Sequence, residues 1–182
     1  MLSHLRPAFA LLVLFTLLLG LAYPLAMTGV AGLAFPVQAS GSPVRDGERL
    51  IGSALIGQAF TSDSYFHPRP SASGYDAMAS GGSNLGPLSK KLIDRVTGDL
   101  AGAAGPVSAD AVTMSASGLD PDISPQNAMS QAARVAGARN VPVEKVAALV
   151  TDQTAGRLFG LLGEPRVNVL ALNLALDKLA AN

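Results

Sequence analysis

The chain of 182 residues lacks cysteine and tryptophan altogether and has only two histidines. Without cysteine it can form no disulfide framework, no thiolate metal site and no catalytic thiol. Its 13 lysines and arginines balance its 13 aspartates and glutamates, and no cluster of cations stands out, so we expect no nucleic-acid partner. The 19 glycines and 12 prolines indicate many turns, and therefore a loop-rich protein instead of a long helical bundle.

Charged side chains are also missing from one long stretch, residues 7–44. Within it, residues 7–28 are almost wholly apolar. About 20 apolar residues are enough for a helix to cross about 30 Å of hydrocarbon. We therefore predict one transmembrane helix over residues 7–28.

The charges on either side of this helix predict its orientation. Arg6 precedes it, and no lysine or arginine follows it before Arg45. Cationic flanks stay on the cytoplasmic side of a membrane. We therefore expect residues 1–6 in the cytoplasm, residues 29–44 as a connector and residues 45–182 as an extracytoplasmic soluble domain.

A cleaved secretory signal is the alternative interpretation of the apolar stretch. Val37-Gln38-Ala39 would serve as its small-residue cleavage site. A retained anchor is favoured because the basic region is a single arginine and because the apolar run is longer than the roughly 7–15 residues of a signal peptide's apolar region.

The remainder of the chain predicts a small α/β (α+β) domain, tethered by the single transmembrane helix. About 140 residues suit one modest hydrophobic core. We predict strands or a hairpin at 50–51 and 55–56, a strand around 112–114 and a short strand at 167–170. Helices are predicted from Pro87, from Pro125 to about Arg139 with Ser124 as its cap, near Pro142, and over 172–179.

Candidate catalytic residues are few, because His67 is the one histidine after the predicted anchor. A membrane-tethered extracytoplasmic hydrolase could pair it with Ser71 or Ser80, and Asp76 lies downstream. The Gly-x-Ser-x-Gly turn that exposes such a nucleophile is absent from the sequence. We therefore expect a structural histidine and no catalytic residue, with the hydrolase as the alternative.

Two carboxylates, Asp120 and Asp122, flank a proline just before a predicted helix. Negative charge is favourable at the amino end of a helix dipole. We interpret both as turn residues and expect no metal site.

The glycine-rich run Ser80–Gly86 precedes another predicted helix, where backbone N–H groups can hold a phosphate. It lacks the Gly-Lys-Thr or Gly-Lys-Ser ending of a phosphate-binding loop, so a tight structural turn is the preferred interpretation. The candidates for nucleotide contact in this run are Ser80, Gly81, Gly82, Ser83 and Asn84.

Seven segments, taken in order, resemble one known family. They are LIGQAF at 55–60, YFHPRPSA at 65–72, SGGSNLGP at 80–87, SASGLDP at 115–121, RVA at 134–136, VNVL at 167–170 and LNLALD at 172–177. Together with the amino-terminal anchor they span nearly the whole chain. On these motifs the chain resembles the C subunit of the bacterial Kdp potassium-transporting P-type ATPase.

This resemblance implies a non-catalytic accessory subunit of a high-affinity, ATP-driven potassium uptake complex in the bacterial inner membrane. It implies three partners: a channel-like potassium-binding subunit, a P-type ATPase subunit that uses ATP and Mg²⁺, and a small single-span subunit. The chain has neither an Asp-Lys-Thr-Gly phosphorylation sequence nor a selectivity-filter sequence. We therefore expect no cofactor bound directly by this chain, with potassium as the ion transported by the complex.

The resemblance also implies a role in assembly, together with a raised ATP affinity of the ATPase subunit or a shaped ion path at the channel-like subunit. Since ATP is cytoplasmic and the glycine-rich run is expected outside, an effect on ATP would be indirect, through packed helices. Partner contacts are predicted at small anchor residues and in the 65–70 loop, at Gly20, Ala22, Ala26, Gly29, Tyr65, Phe66 and Arg69.

Overall fold

A computed structural model of the protein describes residues 4–102 and 105–180. The chain divides into two compact units, Met1–Ile51 and Gly52–Asn182. Helices and short antiparallel sheets occur together, which confirms the mixed fold class.

The first unit is dominated by one apolar helix. It consists of α1 (Leu5–Leu17), a π-helical turn (Leu18–Ala22) and α2 (Tyr23–Ala34). Its most apolar stretch of 18 residues has a mean hydropathy of 2.3 and no residue of Leu5–Ala34 is buried, so length and composition allow the helix to cross a membrane. The boundary predicted at residue 28 stays a prediction, since the helix itself continues to Ala34.

The π-helical turn has a local cause. It ends at Ala22, two residues before Pro24, whose ring lacks an N–H and clashes with the carbonyl four residues earlier, that of Gly20, in a regular helix. A wider turn accommodates the proline without ending the helix, so the apolar rod remains continuous.

A short helix and a hairpin follow the apolar rod. They are α3 (Pro36–Ala39), β1 (Pro43–Asp46) and β2 (Arg49–Ser53). The predicted strand at 50–51 is confirmed, but its pairing with 55–56 is wrong, because β2 pairs with β1. Gly47 and Glu48 form the turn, with Gly47 at φ +58°, and glycine at the first position of a two-residue turn is a hairpin signal that sequence reasoning overlooked.

The second unit has its core between helices and a three-stranded antiparallel sheet. The helices are α4 (Lys90–Ala101), α5 (Ala109–Val112), α6 (Pro125–Arg139), α7 (Val143–Asp152) and α8 (Val169–Ala180). The sheet has the order β3-β5-β4, with β3 at Asp122–Ile123, β4 at Thr154–Ala155 and β5 at Arg166–Asn168. Val167 is the central partner, since it lies opposite Ile123 on one side and Thr154 on the other.

The buried core is contributed by the loop before α4, the sheet and the last three helices. Its members are Phe66, Ile123, Ala128, Ala132, Val135, Ala136, Val146, Val150, Val167, Val169, Leu172 and Leu176. Helix α6 contributes mostly small side chains to it, Ala128, Ala132, Val135 and Ala136.

Helix α6 has the ends predicted for it. The hydroxyl of Ser124 accepts a hydrogen bond from the backbone N–H of Asn127 at 3.0 Å, which satisfies one free donor of the first turn. At the other end, Asn140 adopts the left-handed conformation with φ +54°, the usual way to stop a helix.

Three predicted elements need correction. The strand around 112–114 is wrong, because α5 occupies Ala109–Val112, with Ser108 and Asp110 at positions that favour a helix start. The helix from Pro87 begins only at Lys90, and Leu88 is 93 % exposed. The strand at 167–170 ends at Asn168, where α8 takes over.

Candidate functional site

Three of the motifs that carry the resemblance, at 65–72, 80–87 and 115–121, fall mainly in a network of two loops, residues 62–86 and 113–120. Between Ala54 and Ser89 the chain, all of it described, has no helix or strand. The order of this loop network therefore depends on side chains from α6 and α8 and on contacts between the two loops.

Phe66 and Asn173 fix the first loop to the core. Phe66 is completely buried. The Asn173 side chain on α8 accepts from the Phe66 N–H at 2.8 Å and donates to the Phe66 carbonyl at 3.0 Å. One amide thus satisfies both backbone groups of a buried residue, as a neighbouring strand would.

Gln131 on α6 likewise bonds both backbone groups of the next residue, His67. It accepts from the His67 N–H at 2.7 Å and donates to the His67 carbonyl at 3.0 Å. Sequence reasoning missed both amides. Asn173 could have been found, because it is a polar residue within the apolar run LALNLAL of a predicted helix.

Two arginines of α6 hold the start of the loop. Arg134 donates to the carbonyls of Asp63 and Tyr65 at 2.7 and 3.1 Å; burial lowers its pKa, and the charge of Asp63 opposes that shift. Arg139 donates to the Ser64 carbonyl at 2.7 Å and lies over the Tyr65 ring, 4.7 Å from its centroid. Tyr65 is therefore partly covered.

Arg69 joins the first loop to the second. Its guanidinium forms an ion pair with Asp120 at 2.8 Å, and the Pro70 carbonyl accepts from Ser115 N–H at 2.9 Å. The Tyr75 hydroxyl donates to the Arg69 carbonyl, and burial raises the pKa of Tyr75. Arg69 is half-buried, so part of it stays accessible.

The glycine-rich run packs its backbone directly against the second loop. Gly81 N–H donates to the Ser117 carbonyl at 2.8 Å. A Cβ on Gly82 would lie 2.9 Å from the Ala116 carbonyl oxygen, and one on Gly118, at φ +70°, would lie 2.7 Å from the Gly81 carbonyl oxygen. Glycine is needed at these two positions because backbones approach too closely for a side chain.

The remaining candidates of the run lie nearer the surface. Ser80 donates to the Ser117 carbonyl at 2.9 Å, Ser83 is half-buried, and Asn84 is exposed with φ +53°. A nucleotide contact by residues 80–84 stays a prediction.

His67 and the serines proposed for a hydrolase are engaged elsewhere. The His67 ring nitrogen Nε2 lies 3.0 Å from the Ser62 carbonyl, while the Ser71 hydroxyl donates to the Gly118 carbonyl at 2.7 Å. Ser80 bonds Ser117, and Asp76 accepts from the Met78 N–H at 2.9 Å. The hydrolase interpretation is therefore not supported.

Asp110 occupies the amino end of α6. It accepts from the Ser124 N–H and hydroxyl at 2.7 and 2.9 Å and from the Asn127 side chain at 3.1 Å. Burial alone would raise the pKa of Asp110, but the hydrogen bonds from Ser124, Ser108 and Asn127 together lower it. Sequence reasoning missed this residue, because α5 was assigned as a strand.

Asp120 lies in the turn predicted for it, whereas Asp122 begins strand β3. Asp120 accepts from the Asp122 N–H at 3.1 Å. Burial and the charge of Asp120 raise the pKa of Asp122, against the lowering by Asn168 and Arg166. Among the described residues, no three His, Asp or Glu side chains come together in a way that could hold a metal ion.

An open cleft of about 800 Å³ lies beside the loop network, lined in part by His67, Pro68, Asn127, Gln131 and Arg134. Its polar side chains are already bonded within the chain, since Gln131 also accepts from Arg134 at 2.8 Å and donates to Asn127 at 3.0 Å. These polar groups therefore stabilise the conformation of the loops.

The small residues of the apolar helix are all on its surface. Ala22, Ala26 and Gly29 follow the spacing i, i+4, i+7 and share one face, while Gly20 lies within the π-helical turn that ends at Ala22. A Cβ on Gly20 or Gly29 would meet nothing within 4 Å. This face has room for the backbone of a neighbouring helix.

Comparison with known proteins gives a consistent result. The family model described as "KdpC: K+-transporting ATPase, c chain" matches residues 5–178. Curated relatives named "Potassium-transporting ATPase KdpC subunit" include one from Allorhizobium ampelinum, 60 % identical over 100 % of this chain and 99 % of the relative. Another, from Caulobacter vibrioides, is 61 % identical over 97 % and 94 % of the two chains. A third, from Bradyrhizobium diazoefficiens, is 56 % identical over the full length of both.

Proposed function

Since this chain belongs to the KdpC family, the c chains of K⁺-transporting ATPases, we propose that it is a non-catalytic accessory subunit needed to assemble a potassium uptake complex. The family resemblance found in the sequence is confirmed. In this proposal a P-type ATPase subunit binds ATP and Mg²⁺, a channel-like subunit carries potassium, and a small single-span subunit completes the complex.

The unpartnered apolar helix carries the proposal. Apart from Arg6, residues Leu5–Ala34 carry no charged side chain and none of the 30 is buried, so this unit does not cover its own hydrocarbon surface. Lipid and neighbouring transmembrane helices would cover it. We place this helix in the bacterial inner membrane, with the amino terminus in the cytoplasm and residues 45–182 outside.

The loop network supports a scaffolding role. The side chains of Arg69, Ser71, Gln131 and Asn173 are used to hold one loop against another or against a helix. Such bonding keeps loops in one conformation for a partner to recognise. We propose Tyr65 and Arg69 as accessible contacts of this surface, with Phe66 supporting them from the core.

An effect on ATP affinity would be indirect in this arrangement. The Gly81 N–H is already bonded to Ser117, and a bilayer of about 30 Å of hydrocarbon would separate the run from cytoplasmic ATP. Coupling through packed helices is typically worth about 1–3 kcal/mol, which is enough to change a nucleotide affinity severalfold.

Exporting the soluble unit without its helix tests the proposal. A cleavable secretory signal in place of residues 1–34 would deliver residues 35–182 outside the membrane without an anchor. We expect loss of co-purification with the other subunits and loss of growth at limiting potassium. Full growth with the released unit would contradict an anchored assembly role.

A matched pair of substitutions tests the small-residue face. Ala26→Leu adds bulk to the face of Ala22 and Gly29, whereas Ala31→Leu adds the same bulk about 140° away around the helix. We expect Ala26→Leu to reduce co-purification and Ala31→Leu to leave it unchanged. Equal effects would mean that the small residues do not define a helix contact.

A further inference from the structure

A closed turn at residues 158–163 carries four large apolar side chains into solvent. Leu158, Phe159, Leu161 and Leu162 are 59, 86, 81 and 63 % exposed. Leu158 and Leu162 bond to each other through both backbone groups, at 2.9 and 3.0 Å. These side chains, which we call the apolar turn, are thus displayed by an ordered hairpin and not by a frayed end.

Phe159 is held in a backbone conformation that favours glycine or asparagine. Its φ is +53°, and the next residue, Gly160, has φ +74°. A bulky side chain is uncommon at positive φ, and here its ring lies in solvent, where it adds nothing to the core. Residues kept in such a conformation cluster at functional sites.

Charge does not oppose transfer of this turn into an apolar medium. Residues 158–163 include no charged side chain. At the base of the hairpin, Arg157 and Glu164 neutralise each other in an ion pair of 2.7 Å.

We propose that the apolar turn inserts into the boundary between headgroups and acyl chains of the same bilayer that holds Leu5–Ala34. The inference rests on the proposed membrane attachment. Seventeen residues separate Ala34 from Gly52, and at about 3.5 Å each they span at most roughly 60 Å. The connector therefore tethers the second unit within that distance of a bilayer.

The size and shape of the patch favour lipid over a protein partner. Four side chains on a narrow turn expose a few hundred Å² of apolar surface, while a specific protein interface takes about 800 Å² from each partner. A fluid bilayer accepts a protruding turn without a complementary surface. Other strongly exposed apolar residues of this unit, such as Met78 and Leu88, both 93 % exposed, have no large apolar residue next to them in the sequence.

The absence of tryptophan from the sequence makes a direct test possible in the full chain. Single-tryptophan variants are reconstituted into vesicles of phosphatidylcholine and phosphatidylglycerol, with and without brominated acyl chains. Phe159→Trp reports on the turn, and Leu161→Trp repeats the measurement away from the positive-φ residue. Met78→Trp is the exposed control and Leu14→Trp reports on the apolar helix.

We expect blue-shifted emission and quenching by brominated lipid for Phe159→Trp and Leu161→Trp, and water-like, unquenched emission for Met78→Trp. If Leu14→Trp is quenched but both turn variants remain water-like, the turn inference is wrong while membrane attachment holds. If Leu14→Trp is not quenched, attachment itself fails. If the turn becomes shielded only when the other subunits are added, its occupant is a protein and the lipid proposal is overturned.

Discussion

The apolar helix Leu5–Ala34 and helix α6 differ in two properties: how much of their apolar surface is buried, and how the backbone groups at their ends are capped. The first buries no side chain and has no side-chain cap at His4. The second buries one narrow face and has Ser124 at its start and left-handed Asn140 at its end. The apolar helix needs a surrounding medium to cover its side chains, whereas α6 finds its packing and its caps within its own unit.

This contrast predicts in which region a single substitution should change the stability of the protein. Around α6, stability depends on close packing and on individual hydrogen bonds, so single atoms matter. In the apolar helix it depends on the surrounding lipid, for which one aliphatic side chain is nearly as good as another.

The largest expected effect comes from truncating a buried core residue of the second unit, with the same truncation in the apolar helix as the control. Leu176 is completely buried and Leu12 is 64 % exposed. Leu176→Ala should lower the free energy of unfolding by about 2–5 kcal/mol, because a cavity replaces packed atoms. Leu12→Ala should leave denaturant unfolding of the reconstituted chain, followed by circular dichroism, almost unchanged. Equal losses would erase the distinction between the two regions.

A smaller effect is expected within the loop network. Gly82→Val should lower the free energy of unfolding by about 1–3 kcal/mol, because its Cβ would approach the Ala116 carbonyl. Gly86→Val is the matched control, since nothing lies within 4 Å of that position.

Thermal unfolding with and without ATP separates the two interpretations of this run. A lower melting temperature for Gly82→Val alone supports a structural turn. An unchanged melting temperature together with lost protection by ATP would instead support the nucleotide contact.

The smallest expected effect concerns the start of α6 and has a pH signature. The pKa of Asp110 is lowered in the folded state, so its stabilisation is present above the unfolded pKa of about 3.9 and is lost as pH falls through the folded value. Asp110→Asn should therefore cost about 1 kcal/mol or less at neutral pH and progressively less in acid.

Asp122 provides a control of opposite sign. Its pKa is raised in the folded state, so its contribution is most favourable below the unfolded pKa and is lost as pH rises through the folded value. Relative to the wild-type chain, Asp122→Asn should improve as pH rises. Melting curves of both variants at several pH values check this, and parallel trends would show that the two carboxyls are not held differently.

What could be predicted from the sequence follows the same division. The apolar stretch and α6 were recognisable because composition, caps and spacing are local properties. The partner of β2 and the conformation of 112–114 were not, since a turn signal was overlooked and short segments follow their tertiary surroundings. The amides of Asn173 and Gln131 act across distances in sequence that no spacing rule encodes.

The length of the apolar helix has a mechanical consequence. At 1.5 Å per residue, 30 residues make a rod of about 45 Å, which is longer than the thickness of an average hydrocarbon layer. The excess must be taken up by tilting or by projection beyond the lipid. The thickness of the membrane therefore sets either the tilt angle of the helix or the length of helix that projects from the lipid. Both would differ between thin and thick bilayers.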